Sequence, residues 1–234
     1  PNQPTFLKPQ WRKKGKKFVP VSPKIYAKIC NSIRKGVKSG GKAVGISETV
    51  ACGATSPRGN NKGSAKRSSI SPRLFLREMK KAGAKFDVYA HHPYAGSRFE
   101  SPSTKPKART AVTLGNIRTL FKDLNRYYGK KMRLWVTEYG YQTNPPDGIL
   151  GVSPKKQSQY LRLAYGIALA NPRIEMLIWF LIGGLLALAM RWQIAWPWGE
   201  GAPFGIQGMP ILGNLFFAEQ GGQISPEFYT MLFT

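Results

Sequence analysis

The chain has 234 residues, with 36 Lys and Arg against 11 Asp and Glu, which gives a formal net charge of +25. A hydrophobic fraction of 42% excludes an intrinsically disordered chain and is enough for a sizeable core. The charge attracts polyanions such as nucleic acid, anionic lipid or acidic polysaccharide, although a solvated basic surface also explains it. The basic runs lie in stretches rich in Pro, Gly and Ser, without a nucleic-acid-binding motif, at 12–17, 62–67 and 105–109.

Cysteine and histidine are too few to predict a metal site or a disulfide framework. Cys30 and Cys52 are the only cysteines, and we expect them to be buried free thiols. His91 and His92 are the only histidines, and neighbours in sequence rarely ligate one metal unaided. The sequence therefore predicts neither a metal nor a cofactor.

An apolar run at 176–190 raises the question of a membrane. A membrane-spanning helix needs about 20 apolar residues, and this run is shorter. A buried strand followed by an apolar loop is the favoured interpretation, with membrane attachment through this segment as the alternative. The chain opens at Pro1 without a secretory leader, which suggests a piece of a longer protein.

The helices carry a repeated start signal. A serine before a proline places an N-cap hydroxyl next to the first helical position, and this pair occurs at Ser22, Ser71, Ser153 and Ser225. The first of these helices has an apolar repeat of four residues at Ile25, Ile29, Ile33 and Val37, which predicts its buried face. A further helix follows Thr113.

Short apolar runs alternate with these helices, as parallel strands covered on both faces do. They lie at 42–47, 86–91, 133–138 and 174–182, and the predicted domain is a single α/β unit over 1–234. A long irregular loop is expected at 183–224, before the last helix. Half of a (β/α)8 barrel and an open doubly wound sheet both fit this order.

Polar and aromatic residues follow each predicted strand, where both architectures place their sites. Among the seven acidic residues of 1–174, only Glu48 and Glu138 stand at predicted strand tips. Carboxylates beside aromatic rings are typical of a sugar site, because rings stack on pyranose faces while carboxylates bind hydroxyls. A structural acid paired with backbone or Arg is the alternative for each.

Four motifs together resemble those of the clan A retaining glycoside hydrolases, the cellulase-like (β/α)8 barrels. WVTEYGY (135–141) resembles the seventh strand of that family, DVYAHHPY (87–94) the sixth, and LIWFL (177–181) the eighth. GISETVACGATSPRG (45–59) loosely resembles the fifth strand and its loop. The resemblance implies a partial TIM barrel made of strands 5–8 with their surrounding helices.

The resemblance also implies roles for individual residues. Glu138 would be the nucleophile and Tyr94 would orient it, while His92 and Trp179 would bind the sugar. Three further substrate-binding candidates are Asn2, Glu48 and Tyr139.

The opening residues resemble the text that follows the acid/base glutamate in this family, so that glutamate would stand directly before Pro1 and outside this chain. The implied reaction is retaining hydrolysis of O-glycosidic bonds in a polysaccharide or oligosaccharide. The missing N-terminal half-barrel or a second copy would complete the fold, and a secreted or cell-surface protein is implied. A non-catalytic basic module that binds carbohydrate or another polyanion is the alternative.

Overall fold

The computed structural model describes residues 1–64 and 67–180. Several expectations lie outside the described residues: the irregular loop at 183–224, the helix after Ser225, and the apolar run from 181 onwards. No helix within the described ranges is long and apolar enough to cross a membrane.

The described chain alternates strands and helices after an N-terminal hairpin. The hairpin is antiparallel and consists of β1 (Trp11–Lys14) and β2 (Lys17–Pro20). The later strands are β3 (Ala51–Thr55), β4 (Val88–His91), β5 (Leu134–Tyr139) and β6 (Ile174–Trp179). The helices are α1 (Ser22–Ala43), α2 (Pro72–Lys81), α3 (Arg118–Tyr128) and α4 (Pro154–Leu169).

These later strands form a four-stranded sheet in the order β3-β4-β5-β6, and every pair is parallel. Each strand therefore lies beside the next one in the chain, without a reversal of order. The predicted α/β class with a parallel sheet flanked by helices is confirmed. Because the strands are parallel, their carboxyl ends all lie at the same end of the sheet, and the polar side chains of the site are found there.

The helices also follow one another in space. Helix α1 packs against α2, α2 packs against α3, and α4 packs against β6. The core between helices and sheet is built from the apolar faces of α2 and α3, and its fully buried members include Phe75, Leu76, Met79, Leu120 and Leu124.

Two of the predicted serine caps are present as expected. The hydroxyl of Ser71 accepts from Leu74 N, and that of Ser153 accepts from Lys156 N. Helix α1 instead begins at Ser22 itself, whose hydroxyl donates to Gln10 Oε1 at 3.0 Å. The serine here joins the helix to the preceding segment and does not cap it.

The prediction of a strand at 42–47 is wrong. Helix α1 continues to Ala43, and Val44 and Ile46 are exposed in the turn that follows. The strand at this position is β3, which lies further along the chain. Its residues are small, and a bulge interrupts its pairing with β4 between Cys52 and Thr55, so it lacks a continuous apolar run.

The prediction of free thiols is also wrong, because Cys30 and Cys52 form a disulfide with Cα atoms 6.2 Å apart. The bond joins helix α1 to strand β3. It closes a loop of 22 residues in sequence separation, for which chain entropy gives a stabilisation of about 3 kcal/mol. Two cysteines alone carry no pairing signal, since the pairing depends on how α1 packs on the sheet.

The predicted apolar face of α1 is only partly buried. The buried side chains of this helix include Ala27 and Cys30, whereas Ile29 and Ile33 remain 43% and 54% exposed. The repeat of four residues therefore marks a stripe beside the buried face, and the described residues leave much of it uncovered.

Candidate active site

A cavity of about 540 Å³ lies at the carboxyl ends of β3, β4 and β5. We call it the Glu138 cavity, after the carboxylate that β5 delivers to it. His92 and Tyr94, from the segment that follows β4, line it as well. The structure thus brings together three of the four residues to which the motifs gave roles. The other lining residues are Pro1, Asn2, Phe6, Leu7, Tyr26, Ile29, Ala54 and Ser56.

The carboxylate of Glu138 is oriented by two neighbouring side chains and remains accessible from the cavity. The Tyr94 hydroxyl donates to Oε2 over 3.2 Å, and His92 Nδ1 lies 3.4 Å from the same oxygen. The Glu138 side chain is still 36% exposed. The two contacts fix the orientation of the carboxylate while leaving room for a ligand atom beside it.

The contacts of His92 identify which of its nitrogens carries the proton. Burial lowers the pKa of His92, although the neighbouring charge of Glu138 acts in the opposite direction, so the ring is neutral at pH 7. Nε2 lies 2.9 Å from Thr137 Oγ1, and Nδ1 faces the carboxylate, which only accepts. We therefore assign the proton to Nδ1, with the Thr137 hydroxyl donating to Nε2.

Tyr94 is a permanent donor in this site. Its burial raises the pKa of its hydroxyl, and the charge of Glu138 raises it further. The ring is stacked on that of Tyr139, with centroids 6.2 Å apart and planes 22° from parallel. Packing against a fully buried ring fixes the direction in which the hydroxyl points.

A buried hydrogen-bond network around His91 of β4 lies behind the site. His91 Nε2 lies 3.0 Å from Val112 O, which only accepts, so Nδ1 carries no proton and accepts from Thr55 Oγ1 at 2.8 Å. Tyr89 in turn donates to Thr55 Oγ1 at 3.1 Å. Burial lowers the pKa of His91 to about 4, which keeps its imidazole neutral at pH 7.

The glycine between the two tyrosines of the β5 motif has a steric reason. A Cβ on Gly140 would lie 2.6 Å from the carbonyl oxygen of Phe180. The Phe180 N–H donates to Tyr139 O at 2.7 Å, so this neighbouring backbone is itself tied to β5. A side chain at position 140 would therefore separate the ends of β5 and β6, where the site is built.

Asn2 lines the Glu138 cavity, but its amide is engaged in binding a loop. The side chain is fully buried, accepts from Ser56 N at 2.8 Å and donates to Ile70 O at 2.8 Å. Its predicted contact with a sugar hydroxyl would require breaking these bonds. Its role in the structure is to fix the segment after β3 beside the cavity.

Three predicted site residues do not reach the cavity. Glu48 is exposed and precedes β3, so it lies at the end of that strand opposite to the site. The sequence instead predicts a strand at 42–47, with Glu48 directly after its carboxyl end. Tyr139 is fully buried, and Trp179 is 8% exposed, with its ring 5.8 Å from that of Tyr139. Both aromatic side chains support the site from behind.

Other contributors have little signal in the sequence. Thr137, which contacts His92, directly precedes Glu138, and this position beside the predicted nucleophile is its only signal in the sequence. Tyr26 lies on α1 and accepts from Gly53 N at 3.1 Å, within the bulge of β3. That contact depends on a bulge that no local pattern predicted.

The site consists of one oriented carboxylate, a neutral imidazole and a phenol. No second Asp or Glu is among the described residues that line the Glu138 cavity. The described parts of the chain contain no group of three or more His, Cys, Asp or Glu side chains that could hold a metal ion. This arrangement is suited to nucleophilic attack by a carboxylate, with donors that hold it in place.

No protein-family model matches the chain, and no curated protein matches it. The resemblance to clan A glycoside hydrolases therefore depends on the sequence motifs alone.

Proposed function

We propose that this chain carries the nucleophile side of a retaining glycoside hydrolase, with Glu138 as the attacking carboxylate. The observation that carries the proposal is the contact of Tyr94 Oη with Glu138 Oε2 in an open cavity at the carboxyl end of a parallel sheet. Barrel enzymes of this class hold their sites at that end of the strands. The substrate would be a carbohydrate with an O-glycosidic bond.

The sheet topology supports a partial (β/α)8 barrel, with the four parallel strands as its strands 5–8. Sequential strand order and successive contacts from α1 to α2 to α3 are what a barrel segment requires. A doubly wound sheet instead reverses its strand order at a switch point, which is not seen among the described strands.

Open strand edges support the need for a second half. Within the described residues, β3 pairs only with β4, and β6 pairs only with β5. Ile33 of α1, the helix that the disulfide joins to β3, is also exposed. Unpaired edges with apolar neighbours favour association, so we propose that an N-terminal half-barrel or a second copy covers them.

The reaction needs two carboxylates about 5 to 5.5 Å apart. Glu138 would attack the anomeric carbon, the bond to the leaving oxygen would break, and a glycosyl ester would form on Glu138. A second carboxylic acid would protonate the leaving oxygen and then activate water. No second carboxylate is found among the described residues that line the Glu138 cavity. Following the family resemblance, we propose that the acid/base glutamate is supplied from outside this chain.

The disulfide supports a location in an oxidising compartment. Structural disulfides persist in secreted and cell-surface proteins and are rare in the cytosol. The Cys30–Cys52 bond is therefore in keeping with the proposed function at the cell surface or outside the cell.

Activated substrates provide the test. Dinitrophenolate leaves as a stable anion and needs no proton, so the 234-residue chain should cleave dinitrophenyl β-glycosides without the acid/base group. The glycosyl ester should then accumulate unless azide, which needs no general base, attacks it and yields a β-glycosyl azide. Glu138→Gln should abolish both steps, and adding Trp-Asn-Glu before Pro1 should remove the need for azide. Cleavage that is unchanged in Glu138→Gln would show that the nucleophile lies elsewhere.

A non-catalytic basic module is the second candidate, favoured by the charge of +25 and by the exposed hairpin β1–β2, which carries a basic run. Binding of an anionic polysaccharide would then weaken steeply with salt and would not respond to Glu138→Gln.

A further inference from the structure

A second cavity of about 290 Å³ adjoins the site. Tyr94 lines both this cavity and the Glu138 cavity. We call it the Arg98 cavity; the loop at 95–98 after β4 and the turn at 140–142 after β5 line it, together with Leu150 and Phe180. The proposed reaction makes no use of it.

Arg98 sets the charge of this cavity, since it is the one charged side chain among the described lining residues. Its guanidinium donates from Nη1 to Gly148 O at 2.6 Å and lies 5.0 Å from the ring centroid of Phe99. These contacts give the group a defined orientation. A guanidinium has several N–H donors, and a single carbonyl does not satisfy them all.

Two acidic residues, Glu100 and Asp147, lie near Arg98, and both are bonded to other partners. Glu100 Oε2 accepts from Gly96 N at 2.7 Å and lies 3.7 Å from Arg58 Nη2. Asp147 Oδ1 accepts from the N–H groups of residues 150 and 149 at 2.8 Å, and these bonds, together with the charge of Arg98, lower the pKa of Asp147. Neither acid is among the residues that line the Arg98 cavity. The cavity therefore combines a cation with no lining carboxylate in the described chain.

The remaining walls are largely apolar and accessible, with Ser97 and Gln142 as their polar side chains. Phe180 and Leu150 are 43% and 55% exposed, and Tyr94 adds a half-buried ring at the border with the Glu138 cavity. Aromatic and aliphatic surfaces take the apolar face of a sugar ring, and a guanidinium binds a carboxylate or sulfate through paired N–H donors.

We propose that the Arg98 cavity is a subsite for a sugar ring with an anionic substituent, next to the ring that reaches Glu138. The proposal rests on the proposed glycosidase function and narrows its substrate to acidic oligosaccharides. A uronic acid carboxylate and a sulfate ester share the necessary chemistry. The net charge of +25 would raise the local concentration of such a substrate.

Binding measured without turnover tests the subsite. Calorimetric titration with trigalacturonate and with its methyl ester, at physiological salt, compares a charged ligand with a neutral one of the same length. We expect the ester to bind about 10- to 100-fold more weakly, which is the range for a hydrogen bond to a charged group. This ligand pair needs no change in the protein.

Matched variants test whether the preference for the charged ligand depends on Arg98. Arg98→Gln should lower the affinity for trigalacturonate about as much as esterification does, and Arg98→Lys should restore part of it. Arg109→Gln removes the same charge from an exposed position beyond the same loop and should leave the affinity nearly unchanged. A melting curve for each variant separates loss of binding from loss of folding.

A sulfated galactose trisaccharide forms the second arm. Dependence on Arg98 with the sulfated sugar alone would identify sulfate as the substituent, and dependence with trigalacturonate would identify a carboxylate. Equal binding of acid and ester, or equal losses in Arg98→Gln and Arg109→Gln, would overturn the subsite and indicate general electrostatic attraction. Glu138→Gln should retain binding, so an inactive protein that still requires Arg98 would reject only the glycosidase proposal.

Discussion

The hydroxyl of Tyr94 donates to Glu138 Oε2 over 3.2 Å, which joins the segment after β4 to the tip of β5. The bond crosses 44 residues of sequence and connects two separate motifs. Tyr94 is positioned by its stacking on the buried ring of Tyr139, so the orientation of the carboxylate depends on packing behind the site.

Tyr94→Phe removes this hydrogen bond and keeps the ring. Hydrogen bonds to charged groups contribute about 1.5 to 3 kcal/mol, so we expect release of dinitrophenol to slow about 10- to 100-fold. The rate is measured by absorbance with azide present. Tyr165→Phe is the control, because the Tyr165 hydroxyl bonds Leu177 O, and neither residue lines the cavity. Equal rates for the two variants would remove Tyr94 from the mechanism.

Thr137→Val should change the protonation of His92. The Thr137 hydroxyl donates to the neutral ring, so its removal destabilises the neutral form and raises the pKa of His92. NMR of the imidazole nitrogens reports both the pKa and the proton position. Thr137→Ser keeps the hydroxyl and should restore the original values; a titration that is identical in all three proteins would disprove the assigned tautomer.

The disulfide should contribute substantially to stability. Replacing Cys30 and Cys52 together by serine frees α1 from β3 in the unfolded chain, and we expect a loss of about 3 kcal/mol in the free energy of unfolding. Urea denaturation measures it. A reducing agent should destabilise the parent protein and leave the double variant unaffected; no response in the parent would contradict the presence of the bond.

Gly140→Ala should destabilise the site end of the sheet. The added Cβ would lie 2.6 Å from Phe180 O, and the cost should be about 1 to 3 kcal/mol, as for other overpacked positions. Gly36→Ala, in α1, meets nothing within 4 Å and should be neutral or stabilising. Melting temperatures compare the two, and equal effects would reject the steric explanation.

Stability should fall on acidification through the buried His91. Its folded pKa is about 4 against 6.5 for the free side chain, so between these values the unfolded chain binds more protons. Stability is therefore complete above about pH 6.5 and declines by about 3 kcal/mol as the pH falls to about 4. Urea titrations from pH 7 to 4 measure this slope. His91→Gln should flatten it, and an unchanged slope would assign it to other groups.

The sequence predicted the elements that carry strong local signals. Leu134, Trp135 and Val136 form an apolar run before Glu138, and the structure places a strand there. The sequence does not predict strand β3, because Ala51, Cys52 and Gly53 are small and a bulge interrupts the pairing of the strand. For this reason the sequence predicts Glu48 at the carboxyl end of a strand, whereas the structure places it before β3.

Burial within the site was less predictable than its location. Tyr94 and Tyr139 are both tyrosines at strand ends, yet one faces the cavity and the other is fully buried. The difference depends on how the rings stack between neighbouring strands. The disulfide depends likewise on tertiary packing, since nothing local to Cys30 or Cys52 indicates their distance.

Covalent trapping tests the central claim most directly. A 2-deoxy-2-fluoro glycosyl fluoride has a leaving group that needs no acid, and its fluorine slows hydrolysis of the ester on the nucleophile. After incubation with the 234-residue chain, mass spectrometry of the peptides locates the added sugar. The account predicts one sugar on Glu138 and none in Glu138→Gln. A sugar on a different residue, or equal labelling of the two proteins, would contradict it.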